Sequence, residues 1–357
     1  MHLHATEDGP KTMKALDELM RSVRGMAEED ASGVTSAPPV PDLLLYAPCP
    51  VKLVVKDGID RIAADHARRG DNLTIHIPMG CTSVDPYDPI YREQDPDLLP
   101  GIIGSIGFGD FWRREFVSRH VRAGIFSAAP AVPLNPLHQK AGLLDPRGSY
   151  TLYGVTPYLF LVDTRRLGDM PVPTAWEDVL HPRYAGELIM CGDGDDMADA
   201  VILNIYKDFG MDGLRALAAN CKGFMHSSSM VKSAGSGDES AGAVYIIPAF
   251  FAETVTRPAH LRVVWPRDGA ASSPLYFLAK KSERERLADL AAFFGNGFAA
   301  IDSAAWFVPM ATPATRLPPE ASLKWVGWDW IEDNDVTGRR DTLNALFRDL
   351  VRKATCA

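Results

Sequence analysis

The sequence lacks several features that assign a chain quickly to a class of protein. Its 37 basic residues are outnumbered by 46 acidic ones and form no basic stripe, which argues against a nucleic-acid partner. No apolar run approaches the roughly 18 residues that a membrane-spanning helix needs. Its 5 cysteines are an odd number without C-x-x-C spacing, which favours reduced thiols over a disulfide framework.

The amino terminus also lacks the charged start, the apolar stretch and the small-residue cleavage site of a signal peptide. The sequence as it stands therefore predicts a cytoplasmic protein. If the natural protein starts elsewhere, a periplasmic location is predicted instead. Residues 11–30 instead predict an acidic amphipathic helix, followed by a linker from Ala31 to Pro41. The apolar positions of that helix are Met13, Leu16, Leu19, Met20 and Val23.

The pattern of strands and helices indicates a mixed α/β protein. With 357 residues, 46% of them hydrophobic, the chain is large enough to form two lobes. A strand from Leu43 to Tyr46, a helix and a strand from Asn72 to Ile77 form a strand, helix, strand unit. The right-handed crossover puts the carboxyl ends of both strands at one edge of the sheet, where ligands bind in open α/β sheets. Cys49 and Cys81 are predicted to lie at that edge.

A second ligand-binding edge is predicted in the stretch from Pro173 to Asp199. The sequence predicts a helix held by Trp176 and Leu180, a short strand from Glu187 to Cys191, and a Gly/Asp loop that opens another helix. A strand's carboxyl end and a helix's amino end then meet, where backbone N–H groups can hold a polar or anionic ligand.

The same residues carry a resemblance to a known family. The strand YLFLVDTRRL, the stretch PTAWEDVLHPRYAGELIM and the segment SSSMVKSAGSGDESAGAVYIIPAFF resemble the second lobe of a type 2 periplasmic solute-binding protein. Within that superfamily the chain is most similar to the ferric-iron-binding branch of ABC-transporter binding proteins. The resemblance implies two lobes, each a mixed, mainly parallel sheet flanked by helices, with the ligand cleft between them.

The resemblance also implies domain boundaries. We expect residues 1–41 to form the amino-terminal helix and linker, residues 42–152 with 263–317 to form lobe I, and residues 153–262 to form lobe II. Residues 318–357, which contain Trp325, Trp328 and Trp330, are expected to be a tail packed on the lobes.

Ser282 with Glu285 predicts a capping box for a late helix of lobe I. Two crossings between the lobes predict a hinge that closes on the ligand.

The predicted ligand-binding residues lie at strand ends and helix starts. Iron-binding relatives use two adjacent tyrosines, and the alignment puts Pro248 and Ala249 at those positions, so tyrosinate ligation of ferric iron is not expected. No enzymatic activity and no required cofactor are predicted. The ligand-binding set is Cys49, Cys81, Thr82, Ser105, Tyr153, Asp193, Gly194, Ser228, Ser229 and Phe250.

Two other interpretations remain open at this stage. Cys49, Cys81 and Cys191 each follow a predicted strand, and thiolates select soft metals or iron–sulfur clusters, so the chain could be a cytoplasmic metal or cluster sensor. Cys49 also precedes a helix amino terminus, which lowers a thiol pKa and fits a cysteine enzyme similar to thiaminases. The principal prediction is a monomeric solute-binding protein for a small molecule or ion, with an ABC-transporter permease as partner.

Overall fold

The computed structural model describes residues 39–79, 85–130, 132–192, 198–253, 258–311 and 317–355. The predicted helix over residues 11–30 and most of the linker lie outside these ranges. The described chain divides into two compact units. The first unit contains residues 39–155 and 274–311, and the second contains residues 156–273 and 317–355. The tail thus groups with the second unit.

Eleven strands are present in the described residues. They are β1 Leu43–Leu45, β2 Ile75–His76, β3 Ile102–Ile106, β4 Phe126–Ser127, β5 Tyr150–Asp163, β6 Leu188–Cys191, β7 Cys221–Met225, β8 Val244–Pro248, β9 Leu261–Val264, β10 Ala270–Lys280 and β11 Leu323–Lys324.

The described residues also form ten α-helices. They are α1 Lys52–Arg68, α2 Arg114–Phe116, α3 Pro136–Ala141, α4 Thr164–Leu167, α5 Asp199–Asn220, α6 Ser227–Ser233, α7 Ala249–Glu253, α8 Ala288–Ala292, α9 Trp328–Asp333 and α10 Val336–Thr355. Helix α5 is interrupted at Gly210, whose φ of 62° only glycine adopts readily.

In the first unit β1 lies between β2 and β3 and is parallel to both. Its three leucines are fully buried, because a central strand of a parallel sheet is covered on both faces. On its other side, strand β3 pairs antiparallel with the second half of β10. The strand predicted from Asn72 to Ile77 is wrong in length, since only Ile75–His76 pair, at the edge of the sheet.

A charged network joins α1 to α8 in the first unit. The buried imidazole of His66 lies 2.9 Å from Asp71 Oδ2 and 2.8 Å from Asp289 Oδ2. Hydrogen bonding to Asp289, and then to Asp71, raises the pKa of His66 above its ordinary value despite burial. The predicted Ser282 and Glu285 capping box is absent, because α8 begins later, at Ala288, without a side-chain cap.

In the second unit β6 is parallel to both β7 and β8, while β8 pairs antiparallel with β5. The predicted helix around Trp176 is wrong, because only a 3-10 turn, Asp178–Leu180, forms there. Trp176 is held by long-range contacts instead: its Nε1 donates to Gly269 O at 2.8 Å, and its ring packs on Phe160.

The carboxyl-terminal helix α10 completes the second unit by packing along α5. Leu343, Phe347 and Val351 are buried, and the Phe347 ring meets Phe224 of β7 edge-on, with centroids 6.0 Å apart. Lys324 Nζ forms an ion pair with Asp208 of α5 at 2.6 Å. This tail is therefore an integral layer of its unit.

Candidate functional site

The first unit gathers polar side chains where β1 and β2 end. Tyr46 follows β1 and His76 ends β2, and both face Asp85, whose carboxylate is 8% exposed. His76 Nε2 lies 2.7 Å from Asp85 Oδ2, and the Tyr46 hydroxyl lies 3.5 Å from Asp85 Oδ1. Asp85 Oδ1 also accepts the Tyr87 N–H at 2.8 Å. The loop after β2 thus delivers a buried carboxylate to the edge of the sheet.

This arrangement sets the hydrogen-bonding character of each group. When the His76 ring is neutral and its Nε2–H donates to the carboxylate, Nδ1 carries the lone pair and can accept a hydrogen bond or bind a cation. Burial, and then the charge of Asp85, raises the pKa of Tyr46 well above its ordinary value, so that the phenol remains a donor.

The second unit presents the carboxyl ends of β6, β7 and β8 at one edge, since these strands are parallel. Cys191 ends β6, and its Sγ lies 3.0 Å from Ser227 Oγ at the start of α6. His226 caps α6, with Nδ1 accepting the Ser228 N–H at 3.3 Å and lying 2.8 Å from Ser228 Oγ. The neutral His226 ring then carries its proton on Nε2 and is a donor there.

The described residues place the predicted site residues in different surroundings. Cys49 is half-buried where a 3-10 turn leads into α1, and Ser105 is a mostly buried residue of β3. Ser228 is half-buried and Ser229 is exposed on α6. Cys81, Thr82, Asp193 and Gly194 lie outside the described residues.

Tyr153 and Phe250 are mainly packing residues. Tyr153 is 2% exposed, and its ring lies 5.1 Å from Phe294 and 5.0 Å from Phe298 between centroids. Phe250 is 7% exposed and meets Phe251 edge-on. The Tyr153 ring thus packs in the first unit's core, and the ligand contacts of Tyr153 and Phe250 stay predictions.

The cysteines of the second unit are also enclosed. Cys191 has no exposed surface, and Cys221 is 2% exposed with a pKa raised to about 12 by burial. Among the described residues, no three His, Cys, Asp or Glu side chains are arranged to hold a metal ion. The thiol triplet of Cys49, Cys81 and Cys191 therefore stays a prediction.

Sequence reasoning missed His76, Asp85 and His226. His76 lies within the predicted strand from Asn72 to Ile77 and ends β2, and His226 follows β7 directly. Their position at strand ends was the signal available for these two histidines. Within the described residues no helix is long and apolar enough to cross a membrane.

Comparison with known proteins now identifies the family. The sequence profile of bacterial extracellular solute-binding proteins matches residues 97–334, more than half of the chain. The chain belongs to this family. No curated protein sequence matches it closely enough to be reported. The resemblance to solute-binding proteins that the sequence predicted is therefore confirmed. Two units, each with strands that end at one edge of a sheet, are expected for such a protein.

Solved structures agree with this family on the fold. An ABC transporter protein from Clostridium perfringens matches with a TM-score of 0.58 and 12% identity, over 87% of this chain and 99% of that one. A Bordetella ferric binding protein matches with a TM-score of 0.56 and 11% identity, over 88% and 99%. The apo ferric ion-binding protein A of Pasteurella haemolytica matches with a TM-score of 0.53 and 11% identity, over 87% and 98%. The mixed α/β periplasmic binding protein fold is thereby confirmed.

Proposed function

We propose that this solute-binding protein captures a small polar solute and delivers it to an ABC-transporter permease. Family membership supports the role, because such proteins serve transporters and are typically not enzymes. The family is extracellular, which favours the periplasm among the two locations predicted from the sequence.

The observation that carries the proposal is that each unit brings a histidine of fixed hydrogen-bonding character to the carboxyl ends of its parallel strands. His76 offers an acceptor at Nδ1 because Asp85 takes its other nitrogen. His226 offers a donor at Nε2 because Ser228 N–H occupies Nδ1. A solute that offers a hydrogen-bond donor fits the histidine of the first unit, and one that offers an acceptor fits the histidine of the second unit.

A stability screen tests the solute-binding role. The purified protein is heated with metal ions, phosphate esters, amino acids and polyamines in separate wells, and native mass spectrometry of anaerobically purified protein looks for a retained solute. A ligand at one hundred times its dissociation constant stabilises the folded state by about 2.7 kcal/mol. For a unit of this size that corresponds to a rise in melting temperature of roughly 5–11 °C.

Matched variants tie the solute to the proposed residues. His76→Gln and His226→Gln are each expected to weaken binding at least about tenfold, the cost of one lost hydrogen bond to a buried polar ligand. His181→Gln is the control, since His181 is exposed beside the turn Pro182–Tyr184. Binding by His76→Gln and His226→Gln that equals the binding by His181→Gln would contradict the proposed site.

A further inference from the structure

An apolar groove of the first unit lies apart from His76. It encloses about 440 Å³ where the amino end of β3 and the carboxyl end of β10 pair antiparallel. His76 ends the edge strand β2, and β1 separates that strand from β3. The groove therefore does not belong to the proposed solute site.

Small apolar side chains form most of the groove. Ala128 and Pro130 line one wall, directly after β4, and the exposed residues Ala288 and Ala292 of α8 line the other. The groove continues beyond α8 to Gly295, roughly 10 Å from Ala288 at about 1.5 Å per residue. Its volume is within the range of about 300–1,000 Å³ that is usual for small-molecule sites. These walls fit the apolar part of a small molecule.

A buried cation lies at the end of the groove where β10 leads towards α8. Lys280 lines the groove and is 8% exposed. Its backbone N–H donates to Gly101 O at 2.9 Å, in the antiparallel register that pairs Ala279 with Ile102. Residues opposite each other in such a pair point their side chains to the same face of the sheet, and a Cβ on Gly101 would point at Leu287, which precedes α8. The Lys280 side chain therefore lies on the face that α8 covers.

Within the described part of the chain, the Lys280 ammonium has carbonyl partners but no carboxylate partner. Nζ donates to Leu99 O at 2.7 Å and to Asp97 O at 3.4 Å. The lining residue Glu283 forms its ion pair with Arg286 instead, at 3.2 Å. Burial lowers the pKa of Lys280 below its ordinary value, because a charge removed from water without an opposite charge is destabilised. An ammonium has three N–H donors, so one remains for an anionic ligand.

The other charged residues at this end of the groove do not alter that preference. Arg284 and Glu285 line the groove with opposite charges, and both are exposed. Water and salt screen exposed charges of this kind far more than they screen a buried one. The buried ammonium of Lys280 therefore decides which sign of charge the groove accepts, and that sign is negative.

We propose that the groove binds a small amphipathic carboxylate, such as a straight-chain fatty acid of medium length, as a ligand distinct from the transported solute. The carboxylate accepts the remaining N–H of Lys280 in a charge-assisted hydrogen bond. The apolar chain lies along Ala288 and Ala292, and this contact removes their exposed surface from water. A molecule with a cationic head has no acceptor for that N–H and brings a second positive charge to the buried one.

Calorimetric titration of the full-length protein with octanoate tests the site. Octanoate is expected to bind at one molecule per chain, whereas octylammonium, of the same length, is not expected to bind. Lys280→Met and Ala292→Phe are each expected to weaken octanoate binding at least about tenfold, the first by removing the cation and the second by filling the groove. Lys140→Met and Ala64→Phe are the matched controls, because both residues are exposed on other helices.

A melting curve shows whether each variant is folded, and Ala292→Phe decides the test alone if Lys280→Met does not fold. Three results would overturn the proposal. They are an absence of octanoate binding, equal binding of octylammonium, and equal octanoate affinity in the groove variants and their controls.

Hydrogen exchange locates the bound octanoate. Octanoate should slow the exchange of amides 288–292 on α8, and His76→Gln should bind it with wild-type affinity. Loss of octanoate binding in His76→Gln, without protection of α8, would show that octanoate occupies the histidine site and would overturn the groove assignment. Different variants test the groove and the solute site, so failure of one proposal is distinguishable from failure of the other.

Discussion

Replacing Trp176 by phenylalanine should destabilise the second unit by about 2–4 kcal/mol. The indole N–H donates to the buried carbonyl of Gly269, and leaving such an acceptor without its donor costs about 1–3 kcal/mol. The lost part of the indole adds a packing term, because Trp176 is 1% exposed. The sum lies below the about 3–5 kcal/mol expected for truncation to alanine, since the phenyl ring keeps its contact with Phe160.

Thermal unfolding followed by tryptophan fluorescence and near-ultraviolet circular dichroism measures this change. The expected shift in melting temperature is roughly 4–16 °C for a unit of this size. Trp330→Phe is the control, because Trp330 is half-exposed and the same chemical change there should cost less than about 0.5 kcal/mol. If both substitutions lower the free energy of unfolding by the same amount, the hydrogen bond from Trp176 to Gly269 does not stabilise the second unit.

Three further predictions concern the charged network, the thiols and iron. His66→Gln should lower stability most between about pH 4 and 6.5. A raised histidine pKa stabilises the fold below the unfolded-state value, and that contribution is lost as pH rises through the folded-state value, so the difference in stability between wild type and variant should narrow at high pH. Alkylation at pH 8 followed by mass spectrometry should label Cys49 and leave Cys221 unmodified until the protein unfolds, because burial raises the Cys221 pKa to about 12. Equal labelling rates would contradict this. Ferric salt should give no visible tyrosinate band, because Pro248 and Ala249 lack a side-chain oxygen, and the appearance of the band would show that other tyrosines bind the metal.

The buried strands were predictable because each is a short continuous apolar run. Leu43–Leu45 and Leu188–Cys191 match the predicted strands to within one residue. Such runs are specific for strands covered on both faces, as in parallel sheets. The two-lobed fold followed from their order together with the family resemblance.

The helical errors have a common cause in long-range contacts. Trp176 and Leu180 are four residues apart and fit a helical stripe, yet the backbone N–H of Trp176 donates to Asp268 at 3.2 Å. That contact, like the bond from Nε1 to Gly269, joins positions more than ninety residues apart in sequence. Local periodicity does not contain this information, so tertiary pairing overrode it.

The histidines show why the candidate site was only partly predictable. A strand from Asn72 to Ile77 would have fixed His76 on the face opposite to Ile75 and Ile77, because side chains alternate along a strand. Only two residues of this edge strand pair, so the alternation is not enforced along the predicted length, and His76 lies against Asp85. His226 was missed for a related reason, since its ring caps α6 and no periodic pattern indicates that role. The role of a histidine beside a short edge strand or a short helix therefore depends more on which partner holds each ring nitrogen than on its place in a periodic pattern. This criterion selects His76 and His226 for mutation ahead of the more deeply buried cysteines.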